Sequence, residues 1–418
     1  MSELLQQVRV LDPVSEVDQI ADVLIVEGNI RDIADRISDY PTNTQIRDCQ
    51  GLVLGPGLVD LYSHSGEPGY EDRETWESLR QAAAAGGFTR IAILPDTHPA
   101  IDRPSVLSFA RSKPHPGNSP QFHFWGALTL DIAGERMVEL VELAAAGIVG
   151  FTDGKPLTNW VLVRRLLEYL QPLGKPVAFW CCDRTLAGDG IAREGGESVR
   201  LGLPGNPAMS ETTAIAALLE CVAATGTPVH LMRVSTARSV ELIADAKDRG
   251  LPVTASTTWL HLLRDTRNLA SYDPNLRLEP PLGNPIDRQA LIEGIQTGII
   301  DAVAIDHTPH TYEDKTVAFA QAPPGAIGLE LALPLLWQAF IVENNGSPLD
   351  LWRVLSTNPA RCLQQTPPQL TIDRSAELTL FDPEKTWTAN GKTLKSLSRN
   401  TSWLGQTIQG QVVQIWGL

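Results

Sequence analysis

Two short stretches carry residue types that could do chemistry. Asp60-Leu61-Tyr62-Ser63-His64 ends one apolar run, and Ala304-Ile305-Asp306-His307-Thr308-Pro309-His310 ends another. Side chains two apart on a strand share a face. Imidazoles at both 62 and 64 would therefore be placed to share a metal ion. The first of these positions is Tyr62, which leaves His64 alone, and a lone histidine is more often a hydrogen-bonded core residue than a ligand. Asp306, at a strand end, could ligate a metal or act as general base on a metal-bound water. The plainer alternative is a loop cluster that caps the following helix. Cys181 and Cys182 could be soft ligands, but strand neighbours point to opposite faces, so at most one of them reaches a shared site.

These residues need a scaffold, and the middle of the chain supplies a repeating one. Apolar strand candidates at 58–61, 89–94, 148–151, 177–181, 228–234, 252–255 and 301–305 alternate with helical stretches at 75–85, 135–146, 157–170, 211–224, 237–249 and 288–297. Gly86-Gly87 and Gly147 stop two of the helices, and Ser235-Thr236 precedes a third as an N-cap. Such alternation means a parallel sheet with helices outside it. The number of units and the length predict an α/β fold of the closed (β/α)8 TIM-barrel type, with its chemistry in the loops that follow the strands. An open doubly wound sheet is the alternative. Short strands near both termini, at 8–11, 21–26, 378–381 and 411–416, predict a small β-sandwich made from 1–54 and 366–418, leaving 55–365 for the barrel.

Composition excludes several partners. A formal net charge of −15 argues against nucleic acid or an anionic membrane. Five cysteines without regular spacing make no disulfide framework and suggest a reducing compartment. No apolar run is long enough to cross a bilayer, and the first residues lack a signal-peptide pattern. A cytoplasmic protein is expected.

Taken in order, several motifs carry a resemblance. They are Pro56-Gly57-Leu58-Val59-Asp60-Leu61, Glu67-Pro68-Gly69, Ala82 to Thr89, Asp306 to His310, Ala322 to Glu330, and Asn358-Pro359-Ala360-Arg361. Together they run along nearly the whole chain, which resembles the bacterial dihydroorotases of the amidohydrolase superfamily. The resemblance implies a (β/α)8 barrel with a terminal β-sandwich. It also implies one or two zinc ions at the strand ends, opening or closing the ring of dihydroorotate, and a strand-end aspartate that shuttles the proton. Zinc would polarise the amide carbonyl and lower the pKa of bound water.

The carry-over fails at the ligands. Tyr62 stands for the first histidine of the pair, Trp180 for the histidine that ends the fifth strand, and Arg233 for the one that ends the sixth. Gly66, Asp96 and Glu279 replace the family's substrate-holding arginine and two asparagines. His64, Asp153 and Asp306 remain as a vestigial metal set, with Asp306 the vestigial catalytic group. His310, Ala322 and Gly325 occupy the family's substrate side. Tryptophan has no metal-binding atom, and a permanently cationic arginine repels a dication. Arg233 is instead expected to pair with Asp306, and with Asp153, in place of a metal.

The leading expectation is a dihydroorotase-like pseudoenzyme that binds no cofactor. It would act as a structural partner of aspartate transcarbamoylase, the preceding enzyme of pyrimidine synthesis, and form a homo-oligomer. One alternative is a working zinc-dependent cyclic amidohydrolase with a reduced site, dihydroorotase or allantoinase-like. Another is a sensor that uses the old pocket to hold a small ligand.

Overall fold

The structure, a computed structural model, describes residues 2–112, 117 and 119–417. Eight parallel strands form its centre: Leu58–Ser63, Phe88–Ile93, Gln121–Gly126, Gly150–Phe151, Ala178–Trp180, Val229–Met232, Val253–Thr258 and Ala302–Ala304. They pair in sequence order as two four-stranded halves. A parallel bridge between Phe151 and Val177 joins the halves on one side. On the other side the first and eighth strands are stitched by Asp306 N–H to Tyr62 O at 3.1 Å and His64 N–H to His307 O at 2.9 Å. The barrel is therefore closed, as the alternation predicts, and not an open sheet.

Local signals set the helices. Thr75 caps Trp76–Ala85 by accepting from the Ser78 N–H. Gly86 ends that helix where any Cβ would sit 2.0 Å from the Leu329 carbonyl oxygen, so close packing requires glycine there. Thr236 caps Ala237–Asp248 in the same way. The stretch read as a helix over 135–146 is helical only at Leu140–Ala145. Before it, Thr129 bridges to Met137, so the chain turns back on itself first. The strand Gln121–Gly126, with Gln121 and His123 among its six residues, has no clear apolar signal in the sequence.

Both ends of the chain build one seven-stranded sheet. Its order is Thr407–Trp416, Leu378–Thr388, Val53–Pro56, Ser2–Asp12, Val17–Val26, Asn29–Ala34, with Gln45–Asp48 also pairing with Ser2–Asp12. Val53–Pro56 runs almost directly into the first barrel strand. A partly buried ion pair, Arg90 with Glu377 at 2.6 Å, fastens sheet to barrel. The connection between the last two sheet strands crosses to the barrel loops. There Asn400 donates to the carbonyls of Thr308 and Gly325 and accepts from the His310 N–H. No helix among the described residues is long and apolar enough to cross a membrane.

Candidate functional site

The loops after the strands enclose a cavity of about 220 Å3, lined by groups from seven of the eight strand ends, among them His64, Asp96, Trp180, Arg233, Glu279 and Asp306. Its floor is an ion pair. Arg233 donates from Nε to Asp306 Oδ2 at 2.8 Å and from Nη2 to Oδ1 at 2.6 Å. The two bonds are parallel, the geometry that suits a guanidinium to a carboxylate. Nη1 donates to the Gly154 carbonyl at 3.0 Å, and Nη2 also lies 3.1 Å from His64 Nε2. Burial opposes a charged Asp306, yet the Arg233 guanidinium holds its carboxyl well below the ordinary carboxylate range. Arg233 and Asp306 both have left-handed backbone, φ 55 and 52. That conformation is strained for residues with a side chain, and such strain collects at functional sites.

His64 bonds Asp96 Oδ2 through Nδ1 at 2.5 Å. Burial disfavours its charged form, while Asp96 and Asp306 favour it. The contacts decide against a proton on Nε2. That atom lies 3.1 Å from an Arg233 N–H donor and 3.6 Å from the nearest Asp306 oxygen, and two donors would repel. We assign a neutral ring that donates from Nδ1 to Asp96 and accepts from Arg233.

Trp180 walls the cavity, with the Arg233 guanidinium 4.9 Å and that of Arg184 5.0 Å from its ring centre. Both contacts are of cation–π type. Arg184 in turn reaches both oxygens of Glu279 at 3.2 Å, so the negative charge at Glu279 is answered from within the chain. Tyr62 is fully buried. Its hydroxyl lies 2.9 Å from Ser256 Oγ and accepts the Arg233 backbone N–H at 3.0 Å. Ser256 continues to His230 Nε2 at 2.8 Å, and His230 Nδ1 to Thr254 at 2.9 Å. The side-chain polar atoms of Tyr62, Ser256, His230 and Thr254 thus all have partners.

Not every residue expected here arrives. Asp153 lines the cavity, but its carboxylate turns toward the third strand's loop. It accepts from the N–H groups of Leu128 and Thr129 and from the Thr129 hydroxyl, and it makes no pair with Arg233. This corrects the expected double pairing: local backbone donors satisfy Asp153 first. Gly325 lines the cavity, whereas His310 and Ala322 do not. His310 Nε2 instead holds the Pro324 carbonyl at 2.9 Å. Gly66 could not carry a longer side chain in this fold, since a Cβ would lie 2.3 Å from the Glu74 carbonyl oxygen. Asp60 ties the barrel shut, accepting the Ile305 N–H at 2.8 Å and the Ser63 hydroxyl at 2.5 Å.

Sequence reasoning missed Lys155, Thr258 and His261, which also line the cavity. Lys155 follows Asp153-Gly154 directly, and a cation one residue past a strand-end loop was the available signal. His261 bonds Thr258 at 2.8 Å, and burial lowers its pKa to about 4.

Zinc needs several nitrogen, sulfur or oxygen donors converging on one point. Among the described residues, no group of three or more His, Cys, Asp or Glu side chains could hold a metal ion. The Arg233 guanidinium binds Asp306 and touches His64, the two ligand-type groups that do face one another. The residues present do not fit the ion.

Comparison with known proteins agrees with the fold and motifs. Residues 51–239 match the family described as Dihydro-orotase-like. A probable dihydroorotase-like protein of Synechocystis sp. is 44% identical, over 97% of this chain and 98% of its own length. The dihydroorotase of Syntrophus aciditrophicus is 36% identical, over 99% of this chain and 97% of its own. Among solved structures, the L-hydantoinase (dihydropyrimidinase) of Arthrobacter aurescens superposes with a TM-score of 0.85, covering 100% of this chain and 96% of that one. At 21% identity that likeness shows the fold alone, a barrel with a sheet domain. With relatives of this identity spanning almost its full length, the chain belongs to the dihydroorotase-like family.

Proposed function

We propose that this chain is a non-hydrolytic dihydroorotase-like protein of pyrimidine biosynthesis that serves as a structural partner of aspartate transcarbamoylase. One observation carries the loss of hydrolysis. The Arg233 guanidinium fills the position between Asp306 and His64 and satisfies both. Asp306, paired on both oxygens, is not free to act as a base. Tyr62 and Trp180 supply no replacement ligand. The names of the relatives, a probable dihydroorotase-like protein and a dihydroorotase, support the link to that chemistry. A retained fold without a fitting donor set favours a role in assembly over turnover.

The test has two arms. Dihydroorotate ring opening is followed with and without chelator, and the chain is mixed at micromolar concentration with the transcarbamoylase from the same organism and sized. The reading expects no chelator-sensitive activity and a co-migrating complex. Chelator-sensitive turnover would overturn the first half, and two independently migrating species the second.

A further inference from the structure

A small cavity of about 10 Å3 adjoins the barrel mouth, and Trp180, Arg184 and Glu279 line both spaces. Arg193, and Glu211 from the outer helix Met209–Thr225, complete its charged lining. Trp180 is 6% exposed and Arg193 1%. Each keeps one donor with no acceptor among the described residues, the indole Nε1–H and the guanidinium Nε–H. Buried polar groups are nearly always hydrogen-bonded, and here two orphaned donors belong to residues lining one space. Arg193 is otherwise thinly held. Its Nη2 donates to Ser235 Oγ at 2.8 Å, its Nη1 reaches Asn206 only at 3.4 and 3.5 Å, and Glu211 Oε2 lies 3.9 Å away.

Size and charge select the occupant. A space of this volume takes one water and no polyatomic ion. Two guanidinium groups, Arg184 and Arg193, and two carboxylates, Glu211 and Glu279, line it, so a monatomic ion would bring a charge without a counter-charge. A water also needs acceptors for its own hydrogens. Glu211 is saturated, since it accepts from the Ser235 and Thr236 N–H groups and from the Ser235, Thr236 and Ser239 hydroxyls. Each Glu279 oxygen accepts one bond from Arg184 at 3.2 Å, and a carboxylate oxygen has a second lone pair to offer.

We infer that this cavity is the binding site of one tightly held water, which accepts from Trp180 Nε1 and Arg193 Nε and donates to Glu279. Through Arg193, Ser235 and Glu211 the water ties the wall of the mouth to the outer helix. It also positions the Trp180 ring, whose centre lies 4.9 Å from the Arg233 guanidinium. The site does not depend on the loss of hydrolysis at the barrel mouth, so the two readings stand or fall separately.

The test uses the full chain in two arms. In crystals of the unaltered protein, one solvent peak is expected within about 2.7–3.2 Å of both nitrogens, with no anomalous signal after exchange into bromide. In solution the chain is isotope-labelled at its indole nitrogens. Its 10 tryptophans give as many indole resonances, and the one missing from Trp180→Phe belongs to Trp180. That N–H should show a cross-peak to a long-lived water. Arg193→Met removes the second donor and should weaken the cross-peak severalfold while most other indole resonances stay in place. The crystal arm needs no variant, so it decides the matter even where Arg193→Met fails to fold. Absence of a peak within reach of both nitrogens, an anomalous bromide peak in its place, an indole N–H without a water cross-peak, or a cross-peak unchanged in folded Arg193→Met would overturn the inference.

Discussion

The hydroxyl of Tyr62 accepts the backbone N–H of Arg233 at 3.0 Å, so two of the positions that depart from the dihydroorotase pattern are bonded to each other. The substitutions form a unit. Tyr62 fills the barrel mouth, satisfies a buried N–H at a strained residue, and leaves the Arg233 side chain to meet Asp306.

Tyr62→Phe removes that acceptor and keeps the ring. A buried N–H without a partner costs about 1–3 kcal/mol. Chemical denaturation should show a loss of that size. Ser256→Ala, on the far side of the same hydroxyl, should couple to it in a double-mutant cycle.

Arg233→Met tests the ion pair itself. The change keeps volume and removes the charge, leaving Asp306 buried with no cation. Breaking a buried pair from one side costs about 3–5 kcal/mol. Unfolding curves should register a loss in that range, and Asp306→Asn added to Arg233→Met should recover part of it. An unchanged midpoint in Arg233→Met would mean that the guanidinium contributes no stability.

Much of this site was legible in the sequence. The alternation of strands and helices predicted the closed barrel, and the replacement of a family histidine by Arg233 predicted its bond to Asp306. Asp153 was misjudged because its partners, Leu128 and Thr129, lie on a neighbouring strand's loop that sequence spacing does not connect to it. His310 and Ala322 lie outside the cavity lining, and His310 is held by the Pro324 carbonyl and, through its N–H, by Asn400 of the distant terminal segment. Pairing across such sequence distances is set by tertiary packing. No local pattern encodes it.

The same terminal segment gives a pH prediction. Glu330 is buried and accepts from the N–H groups of Lys395 and Ser396. Burial is the main cause that raises its pKa from 4.5 to about 7, with Glu74 adding to it and the two backbone bonds opposing. A carboxyl with a raised folded pKa contributes stability that is present below 4.5 and lost as pH rises through 7. The shift corresponds to about 3 kcal/mol. Glu330→Gln should remove that slope, so the difference between the two proteins in unfolding free energy should change between pH 4.5 and 7 and be flat above. Parallel curves across that window would contradict the assignment.

On the proposed reading, the Arg233 guanidinium takes the place of the metal ion that the resemblance to the dihydroorotases implies. The most direct test of that reading is elemental analysis of the intact chain, produced with added zinc and dialysed before measurement. Bound zinc is expected far below one ion per chain, with a melting temperature unmoved by chelator. One or more tightly held ions per chain, with chelator lowering the melting temperature, would contradict it.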